Sequence, residues 1–337
     1  MNRTIVIIAV VVLVLGLVLY GVVGRNGPVQ VGAGSGGSID DPPAPALTVR
    51  TLDIGQGDAT YIHNGDSRVL IDGGPDAERM GVLLDSLHLN GTTIDVVVLT
   101  HQHYDHYNGL LDLFNSRRNI KVRYFFEDKD PSAASTLAHL RDSVLARVDR
   151  DGLIYRGTDD PCGDGRPLCT ITLRGGARLH LMQPLAAPEK PNNRSVAIKL
   201  VGPDSTSFTM WLAGDAEHDE IRYFEQAYAG NPGMDASVLK ADHHGSCNGV
   251  TRRYLQLIHP SWVVASVGAH NDYGHMHEQA KAEYRAAGIP WYRTDQNGTI
   301  TIRSPGTVGG GYSITPSRPG QDLSGPSDRV SRQGACG

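Results

Sequence analysis

Positive charge is in short supply: Lys and Arg number 31 against 36 Asp and Glu, a net charge of −5 over 337 residues. A protein that coats nucleic acid with its whole surface needs the opposite balance. Aromatic residues are also scarce, with 5 Phe, 3 Trp and 13 Tyr, which argues against a platform that stacks successive bases. Only 4 cysteines are present, and a chain of this length buries enough apolar surface to fold without disulfide staples. No internal repeat is visible, which argues against a solenoid or propeller. A composition 40% hydrophobic and 20% charged excludes wholesale disorder. Histidine is plentiful: there are 14, many of them in three tight clusters.

Residues 4–23, TIVIIAVVVLVLGLVLYGVV, carry no charge. At 1.5 Å per residue such a run covers a hydrocarbon core of about 30 Å, and it predicts a transmembrane signal-anchor. The run has no polar face, which speaks against a buried core helix. A cleaved signal peptide is the competing reading, with Val31-Gly32-Ala33 as a weak cleavage signature, although signal-peptide apolar regions usually run only about 7–15 residues. Arg3 and the α-amino group at one end, against Arg25 at the other, favour a single-pass protein with its large domain outside the cytoplasm. Signal cleavage would make it a secreted one.

Residues 24–45 are Gly-, Ser- and Pro-rich and read as a flexible linker. Residues 306–337 read the same way, as a disordered tail. One domain, residues 46–305, lies between. Cys162 and Cys169 bracket a Pro/Gly-rich loop and suit a small disulfide ring, with two free thiols as the alternative; Cys247 and Cys336 are a second candidate pair.

The domain opens with the strand-like runs ALTVRTLDI, DATYIHNG and SRVLIDGG, separated by Gly/Asn/Asp turns. Helical and strand patterns then alternate. AERMGVLLDSLHLN, HYNGLLDLFN and SAASTLAHLRDSVLARV read as helices, and IDVVVLT, VRYFFE, SVAIKLVG, SFTMWLAG and ASVLKA as strands. Hairpin-linked strands followed by β-α alternation predict an α/β sandwich of two mixed sheets between helices.

The strand IDVVVLT runs directly into His101-Gln102-His103-Tyr104-Asp105-His106. His101 and His103, two apart in an extended segment, face the same way and suit one metal. Asp105 and His106, where a helix begins, suit a second. Imidazole and carboxylate ligands fit Zn²⁺, and also Mn²⁺ or Fe. Two further apolar strands end at Gly214-Asp215 and at His243-His244-Gly245-Ser246, the strand ends where α/β folds build their sites. A carboxylate at Asp215 is suited to bridging two ions about 3.5–4 Å apart.

HQHYDH, GD and HHGS in this order resemble the metallo-β-lactamase superfamily. More narrowly, LDIGQGDATYI, LIDGG, LTHQHYDHYNGL, NNRSVAIKL, LAGDAEHDE, LKADHHGS, NDYGH and RTDQNGTI resemble the soluble hydrolase-like domain of ComEC-type competence (DNA-uptake) proteins, over nearly all of 46–305. The resemblance implies a four-layer αββα sandwich with two divalent ions, Zn or Mn, on its sheet edges. It implies His101 and His103 as first-ion ligands, Asp105 and His106 as second-ion ligands, Asp215 as the bridge, and His243 in preference to His244 as the last His ligand. The chain departs from the superfamily where another His ligand usually stands, at Asn192-Asn193-Arg194-Ser195. It departs from the branch after NDYGH, where Met276 and His277 replace the usual Pro. The multispanning channel of competence proteins is missing from this sequence, so an uptake role does not carry over intact.

The chemistry so implied is hydrolysis by a dinuclear metal-activated hydroxide, with Asp105 orienting it and His275 donating to a substrate oxygen or leaving group, backed by His277. Lys240 is a candidate contact for an anionic substrate, or else an exposed structural lysine. Asp58 and Asp72 read as loop-organising carboxylates beneath the site. Arg117, Arg118, Lys121 and Arg123 form a compact basic run, suited to a phosphodiester backbone or simply a solvated face. The leading expectation is a membrane-tethered, metal-dependent phosphodiesterase or nuclease. Its alternatives are a superfamily hydrolase of lactams, thioesters or envelope phosphoesters, and a non-catalytic metal- or nucleic-acid-binding domain of an uptake complex. No protein partner is legible.

Overall fold

The computed structural model describes residues 46–128, 135–157, 162, 166, 168–186 and 188–320. The apolar segment 4–23, the linker 24–45 and Cys336 lie outside the described residues. Among the described residues no helix is long and apolar enough to cross a membrane.

Two mixed sheets face each other. The first has eight strands in the order β15-β14-β1-β2-β3-β4-β5-β6: β1 Leu47–Thr51, β2 Thr60–Asn64, β3 Ser67–Ile71, β4 Thr93–Val98, β5 Lys121–Glu127, β6 Ile154–Gly157, β14 Ile300–Ser304 and β15 Ser313–Pro316. The second has seven, in the order β13-β12-β11-β10-β9-β8-β7: β7 Leu168–Thr172, β8 Arg178–Met182, β9 Ala197–Val201, β10 Thr209–Leu212, β11 Val238–Lys240, β12 Trp262–Ala265 and β13 Trp291–Arg293. The α-helices are α1 Ala77–Ser86, α2 Tyr104–Tyr107, α3 Leu110–Leu113, α4 Ser135–Asp151, α5 His218–Ala227, α6 Arg252–Ile258, α7 Glu278–Ala286 and α8 Thr294–Asn297.

Three apolar cores make four layers. Val49, Ile62, Val69 and Ile302 of the first sheet meet Leu179, Ile198 and Met210 of the second in the central core. On one outside, Met80 and Leu84 of α1 and Leu140 of α4 pack on Leu70, Val97 and Phe125. On the other, Phe224, Tyr254 and Tyr284 of α5, α6 and α7 pack on Trp211, Leu239 and Val263. The expected two-sheet sandwich between helices is therefore the architecture found.

Parallel pairing of β3 with β4 and of β10 with β11 brings strand C-terminal ends together, and the loops that follow carry the histidine motifs. Residues 306–320, read from composition as the start of a tail, include β15, which pairs antiparallel with β14. There Tyr312 and Ile314 pack against the central core, a contact that local composition does not reveal. Cys162 and Cys169 form a disulfide with a Cα–Cα distance of 5.2 Å.

Candidate metal centre

β4 is buried along almost its whole length, so the chain emerges at Thr100 with its next side chains forced onto the sheet edge. Asp72, at the end of β3, fixes this exit: its carboxylate accepts from Thr100 N and Thr100 Oγ1, both at 2.8 Å, and from His106 Nδ1 at 2.9 Å. Gly57 presses against the start of α2, where a Cβ would lie 2.2 Å from the Asp105 carbonyl oxygen. The loop 52–59 can therefore pass here only with glycine at position 57.

Two groups of ligand atoms result, each lying within 4.8 Å of one another, and they share Asp215. One consists of His101, His103 and Asp215; the other of Asp105, His106, Asp215 and His244. His106 Nε2 is 3.2 Å from Asp215 Oδ1, His244 Nε2 is 3.2 Å from Asp105 Oδ2 and 3.4 Å from Asp215 Oδ2, and His101 Nε2 is 3.9 Å from Asp215 Oδ2. His101 Nε2, His106 Nε2 and Asp215 Oδ1 are buried with no hydrogen-bond partner among the described residues. Buried polar atoms are rarely left so, and converging imidazole and carboxylate atoms of this kind suit a divalent cation. The residues fit the metal that the motifs imply.

The protonation pattern tells the same story. Burial works against charge on His106, yet Asp215 and Asp72 outweigh it and hold this imidazole well above its ordinary value. His244 is raised likewise, by Asp215 and Asp58. Burial also opposes ionisation of Asp215, but His244 and His106 keep it well below the carboxylate range. Raised imidazoles at His106 and His244 thus balance the carboxylates, a task that a bound cation would take over in their place.

The two adjacent histidines, expected as ligands with His243 preferred, stand differently around Asp215. His244 is buried and belongs to the Asp105–His106–Asp215 group. His243 lies toward the rim, its Nε2 3.9 Å from Asp215 Oδ2 and its Nδ1 3.1 Å from Asn248 Oδ1. Both have left-handed backbones, φ 48° and 55°, a conformation costing about 1–3 kcal/mol each at a non-glycine residue.

Outer carboxylates hold the metal-facing rings. Asp72 takes His106 Nδ1, while Asp58 Oδ1 lies 3.3 Å from His244 Nδ1, which also meets the Ser266 carbonyl at 3.0 Å. Such partners set ring orientation and tautomer. Asp58 and Asp72 thus do more than organise loops. Lys240 corrects an expectation: it is buried and ion-paired to Asp58, so it neither reaches substrate nor lies exposed. A strand-end lysine is free only if nothing sits beneath it, and here the 52–59 loop does.

The basic run also sits elsewhere. Lys121 opens β5, so Arg117, Arg118, Lys121 and Arg123 lie at the end of the sheet opposite the histidines. Arg118 binds Asp112 and Asp85, and Arg123 faces Asp95.

The Asn192–Ser195 segment shapes the neighbouring loops. Asn193 Oδ1 accepts from the Glu217 and Glu220 amides and caps α5, while Ser195 Oγ accepts from the Asp215 amide. Asn192 Nδ2 donates to Glu217 Oε1 at 2.9 Å and lies 3.4 Å from His243 Nε2. Its Oδ1 has no partner among the described residues. Sequence reasoning missed Glu217, a buried carboxylate that gathers Asn192, Lys190 and His243. It also missed Gln56, whose Nε2 is 3.2 Å from His275 Nδ1. Neither had a local signal, because both act across loops far apart in the chain.

His275 is buried, its ring centroid 5.3 Å from that of His243 and 5.8 Å from that of His244. Burial, reinforced by His244 and His243, pushes its pKa down to about 2. At neutral pH it is a neutral imidazole that can donate a hydrogen bond but holds no spare proton. His277 stands behind it, with Nδ1 accepting from the Cys247 amide at 3.1 Å.

Comparison with known proteins agrees with this geometry. The family model described as Metallo-beta-lactamase superfamily matches residues 52–129. ComE operon protein 3 of Bacillus subtilis is 27% identical over 284 residues, covering 77% of this chain and 33% of that protein. Competence protein ComA of Neisseria gonorrhoeae is 24% identical over 261 residues, covering 77% and 32%. The chain thus spans about a third of the length of these curated relatives. The solved metallo-beta-lactamase fold protein YhfI of Bacillus subtilis superposes with a TM-score of 0.45 at 14% identity, over 75% of this chain and 97% of that one. By its family-model match and its curated relatives, the chain is similar to the metallo-β-lactamase superfamily and, within it, to competence proteins of the ComEC type.

Proposed function

We propose that this protein is a metal-dependent phosphodiesterase, and more narrowly a nuclease, held at the membrane by residues 4–23 through the linker 24–45 with its hydrolase domain outside the cytoplasm. One observation carries the reading: two ligand groups share a single aspartate, Asp215, the arrangement suited to the attacking and leaving oxygens of an in-line displacement at phosphorus. His101, His103, Asp105, His106, Asp215 and His244 would hold two divalent ions, Zn or Mn, which would supply a water of lowered pKa and neutralise charge on a phosphoryl oxygen.

The rest falls to the chain's own groups. Asp105, partly exposed at the mouth and 3.2 Å from His244, orients the attacking water. His101, His106 and His244 present imidazole nitrogens fixed by Thr100, Asp72 and Asp58, and the His103 ring lies against that of His101. His275, neutral and backed by Gln56, donates a hydrogen bond to a substrate oxygen. His243 and Asn192 line the rim of the first-ion side. The likeness to competence proteins supports a nucleic-acid substrate.

A second reading rests on the three-residue group at His101, His103 and Asp215, which gives the first ion fewer ligands than the second. On that reading the domain binds metal without turning over.

The test is cleavage of labelled single- and double-stranded DNA by the protein and its Asp215→Ala variant, with Mn²⁺ or Zn²⁺ at fixed salt. Metal-dependent cutting by the parent alone is expected. Two bound ions without cutting point to another ester or a lactam, and absence of bound metal overturns the catalytic account.

A further inference from the structure

The outer face of the first sheet is unevenly covered. The helical layer reaches β2 and β3 through Tyr61 and Leu70, but its core contains no residue of β1, β14 or β15. On that open side, alternate residues turn away from the central core. The register places Arg303, Thr48, His63 and Arg68 in one cross-strand row, and Thr301, Arg50 and Tyr61 in the next. With strands about 4.8 Å apart, the first row spans roughly 14 Å.

The five strands β15, β14, β1, β2 and β3 contain no Asp or Glu, although the chain as a whole is acidic. The side chains of Arg50 and Arg303 meet no carboxylate among the described residues. The Arg68 side chain meets the Asp66 carbonyl at 3.4 Å and the Tyr61 hydroxyl, while its amide donates to Asp95. Arg303, Ser313 and Thr315 are exposed, and Thr48, Arg50, His63, Arg68 and Thr301 half-buried. Arg50 and Arg303 sit diagonally on neighbouring strands without a carboxylate partner among the described residues, so an anion supplied from outside is the natural complement.

We propose that this face is a docking surface for the phosphodiester backbone of a nucleic-acid strand, delivering it to the metal centre. Arginines flanked by Ser and Thr hydroxyls are the side chains that grip phosphates without reading bases. The face also points the right way: Arg50 is followed by Thr51, the last residue of β1, and then by the loop 52–59 that holds Gln56 and Asp58 at the site. A lipid surface fits less well, since no large apolar side chain is exposed on these strands and interfacial binding draws on buried apolar area. A net charge of −5 argues against coating the whole surface with nucleic acid, and a single cationic face does not require that. The inference rests on the phosphodiesterase reading for its purpose.

The test is anisotropy of a fluorescein-labelled single-stranded oligonucleotide with the full chain in detergent and EDTA, so that binding is read without metal or cleavage. Arg50→Glu with Arg303→Glu should weaken binding at least tenfold. It should also lower the slope of log K against log salt by about 1.4, two contacts at about 0.7 each. Arg50→Lys with Arg303→Lys should restore most of the binding, with unchanged thermal denaturation in both double variants. A control of equal charge change on exposed helices, Arg150→Glu with Arg252→Glu, should bind as the parent does. Parent-like binding by the Glu variant, or no binding by the parent, overturns the proposal. So does loss of binding to anionic phosphatidylglycerol vesicles while oligonucleotide binding persists. Hydrolysis of the small diester bis-p-nitrophenyl phosphate separates the two readings. If it proceeds while strand binding is absent, the hydrolase stands and the docking face falls; if it fails while the face binds, the reverse holds.

Discussion

The two halves of the metal centre share Asp215 and little else. In the half built from Asp105, His106 and His244 both rings are buried and cross-braced: Asp72 holds the back of His106, while Asp58 and the Ser266 carbonyl hold the back of His244. The half built from His101 and His103 has three ligand residues instead of four. Its one outer contact on His101 is Thr100 Oγ1 at 3.2 Å, and where the superfamily places a further His it has the Asn192–Glu217–His243 group. Ligand number and ring orientation both set affinity, so the difference predicts tighter metal binding by the Asp105–His106–His244 half.

The largest expected effect comes from removing what the halves share. Asp215→Ala should reduce bound metal from two ions to none at micromolar metal, by mass spectrometry of the dialysed protein, and should bring cleavage to background. Retention of one tight ion would show that the halves are independent.

Next come variants of one half at a time. His103→Ala should lose the weaker ion and keep the tighter one, whereas His244→Ala should weaken the tighter one. Calorimetric titration reads the two steps separately, and equal losses in both variants would erase the distinction.

Outer residues follow. Asp72→Asn should weaken the tighter step about 10–100-fold, while Glu217→Gln should touch only the weaker step. The reverse assignment would move His243 and Glu217 into the braced half.

The smallest effect is on stability against pH. His106 and His244 are raised above the ordinary imidazole value near 6.5, so their protons stabilise the metal-free fold fully below that pH. The contribution is lost as pH rises through the folded values. His101 and His275 are depressed, hence neutral in both folded and unfolded chains above about 6.5, and add nothing in this window. With EDTA, Tm should fall as pH rises from about 6.5, and saturating metal should flatten the profile. An identical slope in both conditions would mean that these histidines are not where metal binds.

Much of this was legible in the sequence because it is local. HxHxDH follows a fully apolar run, and a strand that ends there can only expose its next residues at a sheet edge. GD and HHGS each repeat that logic. The ranking of His243 and His244 was not legible, since two successive left-handed residues obey neither the strand alternation nor the helical period that assigns faces. Lys240 looked exposed because its partner, Asp58, lies 182 residues away in sequence and arrives only through the pairing of β1 with β2. Arg117–Arg123 was near the histidines in sequence but at the opposite end of β5 in space. Asn193 could not be recognised as the cap of α5, a helix that begins 25 residues later.

The central claim is a shared, unequal pair of ion sites, and titrating the metal-free full chain with Mn²⁺ by calorimetry tests it most directly. Two resolved steps, the first at least tenfold tighter and both absent in Asp215→Ala, are the predicted result. A single step, or two that survive without Asp215, would contradict it.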